Sequence, residues 1–335
     1  MKRSVLVVTA HFVKAIEDRI NREYIVRRKS DGTHFTRDEL IVASEGADAI
    51  LVTPFDRLDE VFFRRVSSSV KVISTYSAGL DHIDVRAAEA RGIAIGYTPT
   101  EVTDATADVA ILLLLGASRR AFEAQQLLRA GQWTLSSAAP LLGWQVTGKT
   151  LGILGMGRIG QAVAKRARAL GMRIHYSSPR PLPDGFADEA VYHADPLDLL
   201  PESQFLSLHA PETANTHHFL NANAISLLPK GAIVVNTARG GLIVDDDLIA
   251  GLKSGHISAA GLDVYEGEPK LHPGFIELKN TFLLPHMGTA TIDSRTNMGL
   301  AALNNIDAVL QGKLAPSLAR VWANSEIPPN NQETT

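Results

Sequence analysis

Three side chains that could act together on one substrate follow apolar runs in the second half of the chain: Arg239, Glu268 and His286. Arg239 ends the run Ala232-Ile-Val-Val-Asn-Thr-Ala, and His286 follows Thr281-Phe-Leu-Leu-Pro. Such runs predict strands, and open parallel sheets bind ligands at the carboxyl ends of their strands. A guanidinium suits a carboxylate, and an imidazole beside a carboxylate suits a proton donor near neutral pH. The set therefore fits the reduction of a 2-oxo acid, whereas each residue alone is more often structural or solvated.

A glycine-rich segment, Gly155-Met-Gly-Arg-Ile-Gly160, precedes all three residues. It follows the strand-like run Thr150-Leu-Gly-Ile-Leu, and residues 158–170 then carry apolar side chains at helical spacing. A further strand is predicted over residues 172–177. In this order of strand, turn, helix and strand, backbone N–H groups at the helix start receive a pyrophosphate. The segment therefore predicts a dinucleotide site, and with the three side chains it indicates hydride transfer.

The residues after the second of these strands discriminate between NAD and NADP. An NAD site usually places an acid there, and an NADP site places a basic residue near the 2′-phosphate. The chain has no acid at this point but carries two hydroxyls and a cation, Ser177, Ser178 and Arg180. The sequence therefore predicts NADP(H), with NAD(H) as the alternative if Arg180 is only a solvated loop residue.

The chain resembles the D-isomer-specific 2-hydroxyacid dehydrogenases, and within that family the glyoxylate and hydroxypyruvate reductases. The resemblance covers nearly the whole chain, and several long motifs occur in the family's order. They are Ser77-Ala-Gly-Leu-Asp-His-Ile-Asp84, Thr103-Asp-Ala-Thr-Ala-Asp108, Leu151-Gly-Ile-Leu-Gly-Met-Gly-Arg-Ile-Gly160, Val235-Asn-Thr-Ala-Arg-Gly240, Gly261-Leu-Asp-Val264 with Glu268-Pro269, and Leu284-Pro-His-Met-Gly288.

The resemblance implies a role for each residue of the candidate site. His286 would donate the proton during reduction, Glu268 would orient it and favour its charged form, and Arg239 would hold the substrate carboxylate. The backbone N–H groups of Ala78 and Gly79 would bind the same carboxylate. Further residues would contact the cofactor, and Asp263 among them would accept a hydrogen bond from its carboxamide. This cofactor set is Thr106, Gly155, Met156, Gly157, Arg158, Ile159, Gly160, Ser177, Ser178, Arg180, His209, Ala210, Pro211, Thr216, Thr237, Ala238, Arg239, Asp263, His286 and Gly288.

Strand and helix patterns alternate through most of the chain, which predicts an α/β protein. Strands are predicted over residues 5–9, 49–52, 70–75 and 93–96, with a helix over residues 85–90 and a last helix over about 293–310. The resemblance implies two doubly wound parallel-sheet domains. A Rossmann cofactor domain, residues 99–287, would be inserted into a flavodoxin-like substrate domain made of residues 1–98 and 288–335. The polar tail from residue 328 is predicted to be disordered.

Composition limits the classes of function. The 335 residues, 45% of them hydrophobic, suffice for two cores, and a net charge of −3 offers no argument for nucleic-acid binding. The chain has no cysteine, which excludes disulfides, thiolate zinc sites and thiol catalysis. No motif implies a metal. The longest aliphatic run, residues 109–115, is too short to cross a bilayer, so we expect a cytoplasmic protein without membrane contact.

Residues 106–132 form a long helical pattern that is apolar on nearly every face at its centre, which predicts burial. In similar proteins this helix packs against its twin, so a homodimer through this region is expected, with burial inside one subunit as the alternative.

Other functions remain open at this stage. The substrate could be a larger 2-oxo acid, such as 2-ketogluconate or hydroxyphenylpyruvate, or the enzyme could be a 3-phosphoglycerate dehydrogenase. A non-enzymatic alternative is a dinucleotide-sensing binding protein similar to the corepressors of the same family.

Overall fold

The fold is described from a computed structural model that covers residues 3–29, 32–134, 141–183 and 190–319. The tail from residue 328, predicted to be disordered, lies outside the described residues. The chain divides into two compact units: the first combines residues up to Val102 with those from Thr291 onward, and the second spans Thr103–Ala290. The domain boundaries predicted from the sequence lie a few residues earlier.

The first unit is built from short strands that alternate with helices. Its elements are β1 (Val5–Val8), α1 (Lys14–Glu23), β2 (Ile25–Arg27), α2 (Arg37–Ala43), β3 (Ala49–Val52), α3 (Glu60–Arg65), β4 (Val72–Thr75), α4 (Val85–Ala90) and β5 (Ala94–Gly96), followed after the second unit by α12 (Ile292–Leu310) and β13 (Leu318–Ala319).

In the described part of this unit the strands form one sheet in the order β2-β1-β3-β4-β5-β13. The first five strands are parallel and follow the flavodoxin-like order, and the short β13 pairs antiparallel with β5. Every residue of β3 and β4 is buried, because helices cover both faces of a parallel sheet.

The second unit repeats the alternation on a larger scale. Its elements are α5 (Thr103–Ser118), α6 (Ala121–Arg129), β6 (Thr150–Leu154), α7 (Arg158–Ala169), β7 (Arg173–Ser177), β8 (Ala190–His193), α8 (Pro196–Leu199), β9 (Phe205–Leu208), α9 (Ala222–Leu227), β10 (Ala232–Asn236), α10 (Asp245–Ser254), β11 (Ile257–Leu262), α11 (Pro273–Glu277) and β12 (Thr281–Leu283).

Among the described residues these strands form one parallel sheet in the order β8-β7-β6-β9-β10-β11-β12. The first six positions reproduce the Rossmann order, and the direction of winding reverses between β6 and β9. Ligands bind beyond the carboxyl ends of strands at such a reversal. The predicted fold class, two doubly wound parallel sheets, is thus confirmed.

The single helix predicted over residues 106–132 is wrong in its bounds. The structure has α5 and α6 instead, separated at Arg120, whose φ of 54° lies in the left-handed region. A residue distant in the chain contributes to the break: Trp144 N donates a hydrogen bond to the Ser118 carbonyl at 2.8 Å, at the end of α5. The Arg120 side chain pairs with Glu123 at 2.6 Å. The predicted burial holds for half of α5, whereas no residue of α6 is buried.

Three edge strands of the described sheets, β2, β8 and β13, were not predicted, because none of them carries the alternation or the continuous apolar run of a buried strand. Within the described ranges, no helix is long and apolar enough to cross a membrane.

Candidate active site

Arg239 follows β10 in a turn that Asn236 organises. The buried Asn236 amide accepts a hydrogen bond from Ala238 N at 2.9 Å and donates one to the Arg239 carbonyl at 2.8 Å. The Arg239 guanidinium donates to the Ala238 carbonyl at 2.7 Å. A side chain at Gly240 would overlap the backbone of Tyr265, so the turn packs directly against the loop after β11. The side chain of Arg239 is thereby held at the carboxyl edge of the sheet.

Glu268 lies in that loop after β11, and both of its oxygens are engaged. Tyr265 N donates to Oε1 at 2.8 Å, and His286 Nδ1 donates to Oε2 at 2.6 Å. Burial favours a raised pKa for the Glu268 carboxyl, but the His286 and Tyr265 hydrogen bonds and the positive charges of His286 and Arg239 leave its pKa below the ordinary value. Glu268 is therefore an anion at neutral pH, and it links the three predicted side chains electrostatically.

His286 follows β12 with a φ of 51°, a left-handed conformation that is uncommon for a side chain other than glycine. Its side chain is half exposed, while that of Glu268 is 26% exposed. The Nδ1 bond to Glu268 leaves Nε2 as the nitrogen that can meet a substrate oxygen. The structure therefore pairs His286 with Glu268, whose carboxylate is also within the electrostatic influence of Arg239, and the three residues follow three neighbouring strands.

The conformation at His286 is held by Asp263, whose carboxylate is 1% exposed. Its two oxygens accept hydrogen bonds from Met287 N at 2.7 Å and Gly288 N at 2.8 Å. Burial raises the pKa of Asp263, although these two hydrogen bonds and the charge of His286 act to lower it. The sequence prediction for Asp263 was a contact with the cofactor, and this tether was missed. Asp263 lies 24 and 25 residues before the two N–H groups, a separation at which sequence spacing carries no signal.

The glycine-rich segment forms the turn between β6 and α7. A Cβ at Gly155, which has a φ of 94°, would lie 2.5 Å from Ala210 N, and one at Gly160 would overlap the Gly155 carbonyl oxygen. A Cβ at Gly157 would meet no atom within 4 Å, and Gly157 is the N-cap residue of α7, whose first turn has no acidic residue. The positive end of a twelve-residue helix thus faces open space with only a glycine in front of it. This cradle fits a dinucleotide pyrophosphate.

Ser177, Ser178 and Arg180 lie at the carboxyl end of β7, beside the same turn. The Ser177 carbonyl accepts from Gly155 N at 2.8 Å, and the Ser178 hydroxyl donates to the Arg180 carbonyl at 2.5 Å. Ser178 is partly exposed and Arg180 is exposed. Ser177, by contrast, is buried, so only one of the two predicted hydroxyls is exposed at this strand end.

On the other side of the winding reversal, His209 and Ala210 follow β9. His209 Nε2 lies 2.7 Å from Ser207 Oγ, and Nδ1 lies 3.4 Å from Thr237 Oγ1. Burial lowers the pKa of His209 to about 4, so the ring is neutral at physiological pH. The predicted cofactor residues His209, Ala210, Thr237 and Ala238 therefore lie just beyond the carboxyl ends of β9 and β10.

Other predicted cofactor residues lie in the same unit. Thr216 Oγ1 donates to the Pro211 carbonyl at 2.6 Å. Thr106, in the first turn of α5, is buried, and its Oγ1 would lie 3.4 Å from a Cβ at Gly288. Met156 is buried, whereas Arg158 is exposed and Ile159 is partly buried at the start of α7.

Ala78 and Gly79 belong to the first unit, in the loop after β4. Ser77 Oγ donates to the Gly79 carbonyl at 2.7 Å and lies 2.8 Å from Thr75 Oγ1. The hydroxyl groups of Thr75, at the end of β4, and Ser77 therefore stabilise this loop.

Comparison with known proteins identifies relatives over nearly the whole chain. Residues 111–288 match the family described as D-isomer specific 2-hydroxyacid dehydrogenase, NAD binding domain. The chain is 42% identical over 316 residues to the glycerate dehydrogenase of Hyphomicrobium methylovorum, covering 93% of this chain and 98% of that protein. It is 38% identical over 314 residues to the glyoxylate reductase of Thermococcus litoralis, covering 92% and 95%.

A solved structure extends the comparison to three dimensions. It is the NADPH-dependent glyoxylate/hydroxypyruvate reductase of Sinorhizobium meliloti in complex with NADP and malonate, with a TM-score of 0.86 and 29% identity over 95% of this chain and 97% of that one. Matching motifs, coverage and fold all point the same way: the chain belongs to the D-isomer-specific 2-hydroxyacid dehydrogenase family and is an NAD(P)-dependent enzyme of the glyoxylate and glycerate reductase type, which reduces 2-oxo acids.

Proposed function

We propose that the protein uses NADPH to reduce glyoxylate or hydroxypyruvate to the corresponding hydroxy acid, glycolate or D-glycerate. The observation that carries this proposal is the contact between His286 Nδ1 and Glu268 Oε2 at 2.6 Å, beside Arg239 and in the same unit as the glycine cradle. A proton donor, its carboxylate partner and a carboxylate-binding cation are the groups that reduction of a 2-oxo acid requires.

Each of the three side chains has a distinct role in this proposal. Glu268 fixes the ring of His286 and stabilises its positive charge, so that Nε2 donates a proton to the oxygen that becomes the hydroxyl. Arg239 binds the substrate carboxylate through two parallel hydrogen bonds. The bound nicotinamide supplies the hydride that C2 of the oxo acid accepts.

Asp263 has a supporting role in the same proposal. Because its carboxylate holds Met287 N and Gly288 N, it fixes the backbone at the point where His286 leaves the strand. A general acid acts only when it lies within hydrogen-bond reach of its substrate, so this tether determines whether His286 can act.

The preference for NADPH rests on Ser178 and Arg180. No acid follows β7 up to Arg180, and a carboxylate there would repel a 2′-phosphate. The Sinorhizobium meliloti relative, described as NADPH-dependent, was solved with NADP. Both observations support NADP(H) over NAD(H).

A small substrate is supported by the names of the relatives. Glycerate and hydroxypyruvate are the hydroxy and oxo forms of one acid, so a glycerate dehydrogenase and a hydroxypyruvate reductase act on the same pair from opposite sides. Glyoxylate is the same kind of 2-oxo acid with a hydrogen in place of the hydroxymethyl group. The proposal therefore covers both acids.

We also propose a homodimer through the region of residues 106–132. Around α6 the large apolar side chains of Phe122 (43%), Leu128 (56%) and Trp133 (68%) are exposed, and an interface that covered them would remove apolar area from water. Light scattering should give the mass of two chains, and a double change of Phe122→Glu and Leu128→Glu should give one. A monomeric wild-type protein would contradict this part of the proposal.

Initial rates test the substrate and the cofactor together. NADPH and NADH oxidation should be followed separately with glyoxylate, hydroxypyruvate, pyruvate, 2-ketogluconate, hydroxyphenylpyruvate and 3-phosphohydroxypyruvate. We expect the highest kcat/KM with NADPH and one of the first two acids. Faster turnover of a larger acid, or activity with NADH alone, would overturn the corresponding part of the proposal, and no turnover at all would favour a binding protein.

His286→Ala tests the proton donor. We expect kcat to fall by about 10²- to 10⁴-fold, the usual contribution of general acid catalysis, while the Kd for NADPH stays within a few-fold of the wild type. A variant that keeps its kcat would exclude His286 as the donor.

A further inference from the structure

A second cluster of chemically capable side chains lies outside the proposed active site. His217 and His218, in the loop after β9, meet Glu266, in the loop after β11, and their potential ligand atoms all lie within 4.8 Å of one another. No motif in the sequence had implied a metal.

The backbone brings two consecutive imidazoles to one side. Successive side chains of an extended chain point in opposite directions. His218 instead has a φ of 53°, and the two rings stack with centroids 3.8 Å apart and planes 24° apart. The conformation is anchored because His218 N donates to the Gly241 carbonyl at 2.7 Å. The paired rings are therefore a fixed feature of the turn.

A carboxylate behind the cluster orients the first ring. His217 Nδ1 donates to Glu212 Oε1 at 2.9 Å, which leaves the Nε2 lone pair free to point away from Glu212. Glu212 is itself confined, because a Cβ at Gly241 would overlap its carboxylate. Histidines that bind metals almost always donate their other ring N–H to such a carboxylate.

The separation between His218 and Glu266 leaves room for a shared ion. His218 Nε2 lies 3.2 Å from both carboxylate oxygens of Glu266, within the range of an N–H···O hydrogen bond. Two ligands each about 2.0–2.1 Å from one zinc ion at a tetrahedral angle are separated by about 3.3 Å. An ion could therefore replace the hydrogen bond with little movement of this pair.

We propose that His217, His218 and Glu266 bind a divalent transition-metal ion of the zinc type, with Glu212 as the hydrogen-bond partner of His217. Two neutral imidazoles and one carboxylate suit zinc, whereas calcium and magnesium prefer oxygen ligands alone. All three side chains are 39–45% exposed, so the ion can enter from solvent, and water would complete the coordination. The ion would join the loop after β9 to the loop that carries Glu268.

Titration calorimetry of the tag-free, chelator-treated full chain with zinc chloride tests this proposal. We expect one zinc ion per chain. His217→Asn and Glu266→Gln should each weaken binding by more than about 10-fold, and Glu212→Gln by about 10-fold, the lower end of the usual loss when a ligand's hydrogen-bond partner is removed. Cobalt binding gives a second readout, since the visible d–d bands of Co²⁺ should appear with the wild type and disappear with Glu266→Gln.

His11→Asn is the matched control, because His11 is an exposed histidine of the first unit that also lies near a glutamate, with Nδ1 3.7 Å from Glu17 Oε1. Zinc affinity should not change in this variant. No binding by the wild type, or binding that survives Glu266→Gln, would overturn the proposal. An equal loss in His11→Asn would also overturn it, because it would mean that surface histidines bind the ion at random. Circular dichroism at 222 nm verifies that each variant is folded.

Discussion

The glycine-rich turn between β6 and α7 gives the sharpest prediction, because the same substitution, glycine to alanine, should have a different effect at each of two positions. Gly157→Ala places a methyl group in open space at a residue with a φ of −73° and ψ of −166°, an extended conformation that any residue adopts. Gly155→Ala places it 2.5 Å from Ala210 N at a φ of 94°. The first change should affect ligand binding, and the second should affect folding.

The stability changes follow from these contacts. At Gly155 the left-handed conformation costs about 1–3 kcal/mol and the overlap a further 1–3 kcal/mol. For a unit of this size each kcal/mol lowers Tm by about 2–4 °C, so a total of about 2–6 kcal/mol at Gly155→Ala should lower it by about 4–24 °C. At Gly157 the penalty is that of alanine as an N-cap, below about 1 kcal/mol, so Tm should fall by at most about 4 °C.

The binding change follows from the helix end. A methyl group at Gly157 would keep the pyrophosphate away from the first N–H groups of α7. Losing one charge-assisted hydrogen bond costs about 1.5–3 kcal/mol, so the Kd for NADPH should rise by about 10- to 150-fold.

Fluorescence titration with NADPH measures Kd, and thermal unfolding without cofactor measures Tm. A Gly157→Ala protein that binds NADPH as tightly as the wild type would refute the placement of the pyrophosphate. If Gly157→Ala lost as much stability as Gly155→Ala, the claim that a methyl group at residue 157 meets no other atoms would be wrong instead.

Three further predictions concern single side chains. Glu268→Gln should lower kcat about 10- to 100-fold, because His286 loses a charge-assisted hydrogen bond at a half-exposed site. Glu277→Gln, at an exposed acid, is the control, and an unchanged kcat in Glu268→Gln would contradict the pairing. Arg239→Lys should raise the KM for the 2-oxo acid about 10-fold or more without changing the Kd for NADPH, since an ammonium cannot make two parallel bonds; a wild-type KM would remove Arg239 from the carboxylate site. Burial lowers the pKa of His209 to about 4, so between pH 6.5 and 4 the unfolded chain binds a proton at this residue more readily than the folded protein does. The free energy of unfolding of the wild type should therefore fall by about 2 kcal/mol as the pH falls from about 6.5 to 4. Thermal melts of His209→Gln should lack that part of the acid destabilisation, and an identical pH dependence in both proteins would be evidence against a buried neutral ring.

Local signals in the sequence were enough for the cofactor cradle and its fold class. The run from residue 150 to residue 177 predicts a strand, a tight turn, a helix and a second strand, and the structure has β6, α7 and β7 there. These elements depend on contacts between residues close in the chain, which hydrophobic period and glycine positions report directly. The family relationship was carried by the same kind of signal, since each motif is a short continuous segment.

Local sequence patterns gave wrong or missing secondary-structure predictions where a residue distant in the chain determines the structure. The helical pattern over residues 106–132 gave no sign of the break at Arg120, which depends on Trp144 N binding the Ser118 carbonyl. The edge strand β8 carries too little apolar periodicity to be predicted, and it exists because β7 offers it a paired edge.

The sequence by itself determined which residue types reach the carboxyl edge of the second sheet, because a strand followed by a polar residue and a glycine places that residue at the strand end. Only the tertiary structure decided what holds them there. The tether from Asp263 to residues 287 and 288 and the contact of His218 with Glu266 join residues 24 to 48 positions apart. Such contacts depend on which strands become neighbours in the sheet, and strand order is settled by the packing of the whole unit rather than by any one segment.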